Sequence, residues 1–218
     1  MRNKFDQELE NLHGDLVQMG HFIETTIDKM MSAFTADNYE LAREVYENDD
    51  IADDLELQIE RRSLRILLSQ QPVARDLRTI STALKMITDM ERICDLARNI
   101  SRTVLRFEGQ ELIRKPENVL LMSEKCVIMV NKCVQAFINN NLNLAKEVIA
   151  LDDEVDALYK NVHDNIAPLV AQNLRTVDQA VDLVMIAKHF ERIGDHTVNI
   201  AEWVEFNITG EHKSHKLL

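Results

Sequence analysis

The stretch Asp89-Met-Glu-Arg-Ile-Cys-Asp-Leu-Ala-Arg-Asn-Ile100 recurs about a hundred residues later as His189-Phe-Glu-Arg-Ile-Gly-Asp-His-Thr-Val-Asn-Ile200. Each version carries Glu, Asp and Asn at steps of four, which places all three on one line of an α-helix. Like charges at this spacing destabilise a helix by about 0.2–0.5 kcal/mol per pair. Because the same unfavourable pair occurs twice in the same frame, the pattern indicates a duplication and a role for the carboxylates.

A second pair of segments supports the duplication. The stretch 41–50 matches the stretch 144–153, and Ala33-Phe34 upstream of the first has its counterpart in Ala136-Phe137. We therefore predict two copies of one unit, residues 1–109 and 111–210, followed by a polar C-terminal tail at 211–218. Each copy has the size of a small domain.

Composition and periodicity predict the fold class. The 218 residues include only 5 Gly and 3 Pro, and apolar residues recur at helical rather than alternating spacing. The third predicted helix has an apolar seam at Met86, Met90, Ile93, Ala97, Ile100 and Val104, and the sixth repeats it at Ile186, Phe190, Ile193, Thr197, Ile200 and Val204. We predict an all-α fold of two tandem three-helix bundles related by internal duplication, with six long helices.

Cap and breaker residues mark the helix ends. Asp37-Asn-Tyr-Glu40 has the form of an N-terminal cap and predicts the start of a second helix, which we expect to continue to Ser69-Gln-Gln-Pro72. In the second copy, Pro116 predicts the start of the fourth helix, and Asn140-Asn141 separates the fourth from the fifth.

Charge and cysteine usage limit the functional classes. A net charge of −12 disfavours nucleic acid and free phosphate as ligands, and favours divalent cations or basic protein surfaces. The three cysteines lack the spacing of a metal knuckle and suit a reducing compartment. No apolar run approaches the length of a membrane span, and no secretory signal precedes Arg2-Asn-Lys-Phe5, so we expect a cytoplasmic protein.

The repeated acidic stripes are the candidate site. On a helical wheel they lie opposite the apolar seams, so we expect them to face solvent. Carboxylate and amide oxygens suit hard or borderline cations such as Mg²⁺, Mn²⁺, Fe or Zn²⁺. The candidate ligands on the third and sixth helices are Glu91, Asp95 and Asn99 in the first copy, and Glu191, Asp195, Asn199 and Glu202 in the second. A solvated acidic face is the alternative interpretation.

Three ligands from one helix cannot complete a metal site, so a second helix must contribute. Asp49 and Asp53, matched by Asp152 and Asp156, also step by four and recur in both copies. We take these four as the candidates that complete each site. Asp50 and Asp153 are alternatives that the sequence leaves open.

These duplicated Glu-Arg-Ile-x-Asp-x-x-x-Asn-Ile helices, each preceded by an acidic helix with paired Asp, resemble the PhoU family of phosphate-uptake regulators. The segment Pro72-Val-Ala-Arg-Asp-Leu-Arg78 is similar to the start of the third helix in that family. The resemblance covers essentially the whole chain. It implies a cytoplasmic protein, often a homodimer, without catalytic activity and with surface metal clusters in some members. It also implies docking to the phosphate ABC transporter and a phosphate-sensing histidine kinase, both held down when phosphate is plentiful.

The resemblance places Glu91 and Asp95 at the first motif, and Glu191 and Asp195 at the second. The two copies differ around these positions, because Cys94 stands opposite Gly194, Leu96 opposite His196, and Arg102 opposite Glu202. The first site therefore has one acid fewer, and we expect the second to bind metal more readily.

Two other functional classes compete with this interpretation. A ferritin-like di-iron or metal-storage protein needs Glu-x-x-His on two helices facing the bundle interior, and only Glu10-Asn-Leu-His13 has that spacing here. A metal-free adaptor would use its acidic stripes to dock basic loops of partners. Nucleophile elbows and phosphate-binding glycine loops are absent from the sequence, so we predict that the protein is not an enzyme.

Overall fold

The computed structural model of the chain describes residues 2–48, 50–69, 72–162, 164, 166–168, 177–212 and 215–216. Within them the helices are α1 (Arg2–Ala36), α2 (Tyr39–Glu47), α3 (Asp50–Ser69), α4 (Ala74–Leu105), α5 (Glu117–Ile138), α6 (Leu142–Lys160) and α7 (Val177–Thr209). The first bundle contains α1, the consecutive pair α2–α3, and α4, and the second contains α5, α6 and α7. In the polar tail, β1 (Glu211–His212) pairs antiparallel with β2 (His215–Lys216).

The turn after the first helix of each bundle has the same conformation. Asp37 and Asn140 both adopt left-handed backbone angles, with φ of 53° and 47°. The next residue, Asn38 or Asn141, is the N-cap of the following helix, and Asn38 Oδ1 accepts from the N–H of Leu41 at 3.1 Å. The duplication therefore extends to the turns, and the expectation that Asp37 opens the second helix is wrong by one residue.

The predicted continuous second helix of the first bundle is interrupted. Asn48 is the C-cap of α2, with its N–H bonded to the Glu44 carbonyl, and α3 begins at Asp50. The corresponding position of the second bundle is Leu151, inside the uninterrupted α6. Asn favours caps over helix interiors whereas Leu favours helix interiors, so this difference between the copies favours a break in the first bundle and a continuous helix in the second.

The predicted apolar seams of the third and sixth helices form the core. All twelve seam residues on α4 and α7 are buried. The core continues from one bundle into the other, because the rings of Phe34 on α1 and Phe190 on α7 meet edge to face with centroids 5.6 Å apart. The two bundles therefore share apolar packing.

The helices that carry the repeated motif lie side by side. Thr79 near the start of α4 donates to Asn207 near the end of α7 at 3.2 Å, and Arg106 after α4 pairs with Asp182 near the start of α7 at 2.9 Å. These contacts make α4 and α7 antiparallel neighbours. Each motif also faces the second helix of its own bundle, α3 or α6.

All three cysteines are buried in the core. Cys126 and Cys133 are buried on α5, with their Sγ atoms 3.2 Å and 3.5 Å from the carbonyl oxygens of Phe190 and Thr197. Burial raises the pKa of both thiols, so they remain protonated. Among the described helices, none combines the length and apolar character needed to span a lipid bilayer.

Candidate functional site

The first acidic cluster, which we define as Asp53, Glu56, Glu91 and Asp95, lies between α3 and α4. Burial, followed by the neighbouring Asp95 carboxylate, raises the pKa of Glu91 to about 7. Glu56 and Asp53 on α3 raise it further, whereas Arg92 lowers it. These four carboxylates therefore lie close enough to repel one another.

Arg92 partly neutralises the first cluster from α4 itself. Its Nη1 atom lies 2.9 Å from Asp95 Oδ2, and its Nε atom lies 3.4 Å from Glu91 Oε2. The Arg92 side chain is half exposed, so water screens part of this attraction. One arginine therefore leaves the cluster with an excess of negative charge.

Glu56 is a member of the cluster that the sequence interpretation missed. Thr88 Oγ1 on α4 donates to Glu56 Oε1 at 3.3 Å, and burial raises the pKa of the carboxyl group. Its position three residues after Asp53, on the same side of a helix, is the sequence feature that could have identified it. Its counterpart in the second copy is Tyr159, which removes the repeat that would have drawn attention to it.

The second acidic cluster, which we define as Asp152, Asp156, Glu191 and Asp195, lies between α6 and α7. Burial, followed by the Asp195 carboxylate, raises the pKa of Asp152 to about 6. The pKa of Asp195 is raised by burial and then by Glu191 and Asp156. As predicted, Glu191 and Asp195 on α7 lie beside the α6 acids Asp152 and Asp156. They are close enough for the four carboxylates to repel one another.

A lysine occupies one side of the second cluster. Lys188 Nζ donates to Glu191 Oε2 at 2.5 Å and lies 5.2 Å from the ring centroid of Tyr159. The hydrogen bond to Glu191 is the main reason why the pKa of Lys188 is raised. Lys188 stands where the first copy has Thr88. The basic residue that pairs with the cluster is therefore Arg92 in the first copy and Lys188 in the second, at different positions of the repeat.

Gly194 makes room for Asp152. A Cβ atom on Gly194 would lie 2.6 Å from Asp152 Oδ1, closer than real contacts allow. The first copy has Cys94 at the matching position. In the second cluster, Asp152 can therefore approach the backbone of α7 at Gly194. In the first copy, the side chain of Cys94 stands at the matching position of α4.

The expectation that both stripes face solvent is wrong for their glutamates. The side chains of Glu91 and Glu191 are only 14% and 15% exposed. The backbone of each helix does point these residues away from its own seam, but the acidic helix packed alongside covers them. Asn99 and Asp195 are exposed as predicted.

Two predicted ligands of the second site lie elsewhere. Asn199 Nδ2 donates to Asp89 Oδ1 at 3.1 Å, and His196 Nδ1 lies 2.8 Å from the same oxygen. Glu202 lines a groove between the bundles. The side chain of His196 is 19% exposed and engaged by Asp89.

The remaining predicted metal ligands are Asn99, Asp49, Asp50 and Asp153. The side-chain amide of Asn99 forms no hydrogen bond with a described residue, so it does not link Asn99 to the first cluster. The backbone carbonyl of Asn99 accepts a hydrogen bond from Thr103 Oγ1. Asp50 and Asp153 are exposed, and Asp153 contributes to the raised pKa of Asp152. Asp49 lies outside the described residues.

The donor set of both clusters suits hard cations, because every candidate is a carboxylate oxygen. The arrangement is not that of a preformed site, since no three His, Cys, Asp or Glu side chains within the described ranges converge as metal ligands would. The residues of the di-iron alternative, Glu10 and His13, are exposed rather than turned into the bundle. A cation would therefore require the cluster side chains to change rotamer.

Comparison with known proteins identifies relatives along the whole chain. The model of the PhoU domain family matches residues 16–104 and 119–204. The phosphate-specific transport system accessory protein PhoU homolog of Clostridium acetobutylicum is 34% identical over 211 residues, which cover 96% of each chain. The homolog of the same name from Aquifex aeolicus is 37% identical, with 87% of this chain and 86% of that protein covered.

Solved structures agree with this similarity. The crystal structure of PhoU from Pseudomonas aeruginosa superposes with a TM-score of 0.90 at 31% identity, covering 95% of this chain and 100% of that one. The phosphate transport system regulatory protein PhoU from Streptococcus pneumoniae, at 24% identity and a TM-score of 0.85, supports the fold alone. The fold of two tandem three-helix bundles is therefore confirmed.

Proposed function

Because this chain belongs to the PhoU family, we propose that it is an accessory regulator that lowers phosphate uptake when phosphate is plentiful. It would do so as a homodimer at the cytoplasmic side of the membrane, by docking to the phosphate ABC transporter and to a phosphate-sensing histidine kinase. The observation that carries this proposal is the similarity to PhoU proteins over nearly the full length of both chains.

The geometry supports a function in binding rather than catalysis. The described surface carries two carboxylate clusters, in which burial and mutual repulsion raise the pKa of Glu91 and of Asp152. The thiols of Cys126 and Cys133 are buried and protonated, which suits them poorly to nucleophilic attack. We therefore propose that the protein has no catalytic step and acts through its partners.

A metal-assisted form of this proposal uses the two clusters. After side-chain rearrangement, Glu191, Asp195, Asp152 and Asp156 would hold a cation in the second cluster, and the four carboxylates of the first would hold another. A bound cation, whether Fe, Zn²⁺, Mn²⁺ or Mg²⁺, would supply the positive charge that each cluster lacks. The support for this form is the electrostatic crowding, which a cation would relieve.

Phosphate uptake at high external phosphate tests the function. A deletion strain would be complemented with the wild-type protein or with a variant in which four cluster acids become alanine: Glu91, Asp95, Glu191 and Asp195. We expect excessive uptake in the deletion strain, corrected by the wild type but not by the variant at equal protein levels. Unchanged uptake in the deletion strain, with no paralogue present, would contradict the regulatory function itself.

A matched variant separates the clusters from the general negative charge of the chain. It loses four exposed carboxylates outside both clusters: Glu10, Glu47, Glu111 and Glu124. We expect it to correct uptake like the wild type. Correction by both variants would show that the clusters are solvated faces and that the protein acts through other surfaces.

Metal analysis distinguishes the metal-assisted protein from a metal-free adaptor. Protein purified without chelators would be analysed for bound metals, comparing the wild type with the variant Glu191→Ala/Asp195→Ala. Metal bound to the wild type and lost from the variant supports the metal-assisted form. Equal metal content in both proteins contradicts a site at the second cluster.

A further inference from the structure

A groove of about 570 Å³ opens where α3, α4 and α7 meet. It lies outside both acidic clusters and has walls from both bundles. Six of its lining residues determine which ligand it favours: Glu60, Leu84, Lys85, Asp89, Glu202 and Trp203. Because the groove is open to solvent, a loop of another molecule has access to it.

The charge of the groove favours a cationic occupant. Three carboxylates, from Glu60 on α3, Asp89 on α4 and Glu202 on α7, line it together with the single ammonium group of Lys85. Asp89 is held in place, since His196 and Asn199 both bind its Oδ1 atom. A carboxylate fixed in this way can receive a ligand without a large loss of side-chain freedom.

An aromatic side chain stands beside these carboxylates. Trp203 is half buried, and its ring packs edge to face on Phe206 with centroids 5.7 Å apart, which fixes its orientation. Leu84 adds apolar surface to the same groove. An indole next to carboxylates suits a guanidinium group, which stacks on aromatic rings and donates to carboxylates in pairs.

The internal duplication shows that the repeated fold alone does not produce this groove. At the matching positions of the other copy, Glu202 is replaced by Arg102 and Trp203 by Thr103. The pseudo-symmetric surface therefore has the opposite charge at one position and no indole at the other. Of these two matching surfaces, the one on α7 alone combines Glu202 with an aromatic ring.

We propose that this groove binds an arginine side chain presented by a loop of a protein partner. The proposal rests on the proposed function only in that the protein acts by docking to other proteins. It adds the place where a partner is held and the residue type that the partner must supply. An occupant that spans the groove also touches α4 and α7 together, so it contacts both bundles at once.

Trp203 is the only tryptophan of the chain, so its fluorescence reports directly on the groove. The full-length protein would be titrated with an acetylated, amidated Gly-Arg-Gly-Arg-Gly peptide and with the same peptide carrying citrulline, which has arginine's shape without its charge. We expect a saturable change in Trp203 emission with the arginine peptide and none with the citrulline peptide. No saturable change at millimolar arginine peptide, or an equal change with both peptides, would overturn the proposal.

Two glutamine variants test whether the groove carboxylates hold the peptide. Glu202→Gln should weaken binding about tenfold or more, the usual effect of losing a charge-assisted hydrogen bond. Glu205→Gln is the matched control, because Glu205 lies on the same helix but does not line the groove; its carboxylate lies 3.9 Å from Lys146 on α6. It should change the affinity less than about twofold. Equal weakening by both variants would overturn the proposal in favour of diffuse attraction.

The folded state of each variant would be checked by circular dichroism and by the wild-type emission maximum of Trp203 before titration. Glu60→Gln, on the exposed surface of α3, provides a second test that leaves α7 unchanged, and it should weaken binding in the same direction. The peptide titration is independent of phosphate uptake. Failure of the groove therefore leaves the uptake experiment to decide the proposed function by itself.

Discussion

His196 on α7 lies with its Nδ1 atom 2.8 Å from Oδ1 of Asp89 on α4, so the two halves of the duplicated chain are joined by a polar contact. Both side chains are less than one-fifth exposed. Asn199 donates to the same oxygen at 3.1 Å. Partial burial limits competition from water, and a hydrogen bond to a charged group then contributes more than an exposed ion pair.

A double-mutant cycle should detect this contact as coupling between the bundles. We expect Asp89→Ala and His196→Ala to show a coupling free energy of about 1 kcal/mol in urea unfolding near neutral pH. The control is the exposed pair Arg43–Glu108, at 3.1 Å, where coupling should be near zero because water screens it. Equal coupling in the two cycles would contradict a special role for the His196 contact.

The parts of the fold that depend on a residue's own helix could be predicted from the sequence. The seam through Met90 and Phe190 follows from helical periodicity, and both residues are buried. The repeat of Glu-x-x-x-Asp located both clusters, and the second aspartate pair, Asp152 and Asp156, lies beside the second motif. Periodicity succeeds here because it reports the direction of each side chain relative to its own helix axis.

The parts that depend on which helices pack together could not be predicted. Asn199 points away from its own seam, as expected, but its neighbour is Asp89 of the other half, brought there by the antiparallel packing of α4 and α7. Glu91 points outward and is still covered, because α3 packs beside it. A helical wheel contains no information about these neighbours, so both assignments required the tertiary structure.

Replacing Glu91 by glutamine should stabilise the protein in alkaline solution. Burial, followed by Asp95, raises the pKa of Glu91 from 4.5 to about 7, so the charged form is unfavourable in the folded state. We expect Glu91→Gln to raise the free energy of unfolding by about 1–3 kcal/mol near pH 8. Thermal unfolding across pH measures this change.

The sign of the pH dependence follows from proton binding. Between pH 4.5 and about 7 the folded protein keeps a proton on Glu91 that the unfolded chain releases. The contribution of Glu91 to stability therefore falls as pH rises through this range, and the advantage of Glu91→Gln disappears near pH 4.5. Glu124→Gln, on the exposed surface of α5, is the control and should have little effect at either pH. An advantage of Glu91→Gln that does not vary with pH would contradict the explanation.

Adding a methyl group at Gly194 should disturb the second acidic cluster. The new Cβ would lie 2.6 Å from Asp152 Oδ1, so the aspartate must move. Gly→Ala inside a helix normally stabilises by about 0.5–1 kcal/mol, and overpacking costs about 1–3 kcal/mol. We therefore expect Gly194→Ala to be net destabilising in chemical unfolding.

Two controls identify the cause of that loss. Gly14 lies in the interior of α1, and none of the described side chains lies within 4 Å of the space that an added Cβ would occupy there. Gly14→Ala should therefore give the normal helix stabilisation. In the background of Asp152→Ala the obstructing carboxylate is gone, and Gly194→Ala should then stabilise as well. Persistent destabilisation in that background would show that a neighbour other than Asp152 resists the methyl group.

Divalent cations should stabilise the protein in a way that depends on Asp152 and on pH. Burial, followed by Asp195, raises the pKa of Asp152 to about 6, so protons compete with a cation for this carboxylate as the pH falls below that value. We expect Mg²⁺ or Mn²⁺ to raise the thermal midpoint near pH 8 through preferential binding to the folded state, and to raise it much less near pH 5. Asp152→Asn should lose most of the increase near pH 8. Asp178→Asn, which removes an exposed carboxylate from the first turn of α7, should retain it. An equal increase in both variants would place the effect of the cation outside the second acidic cluster, because that cluster alone depends on Asp152.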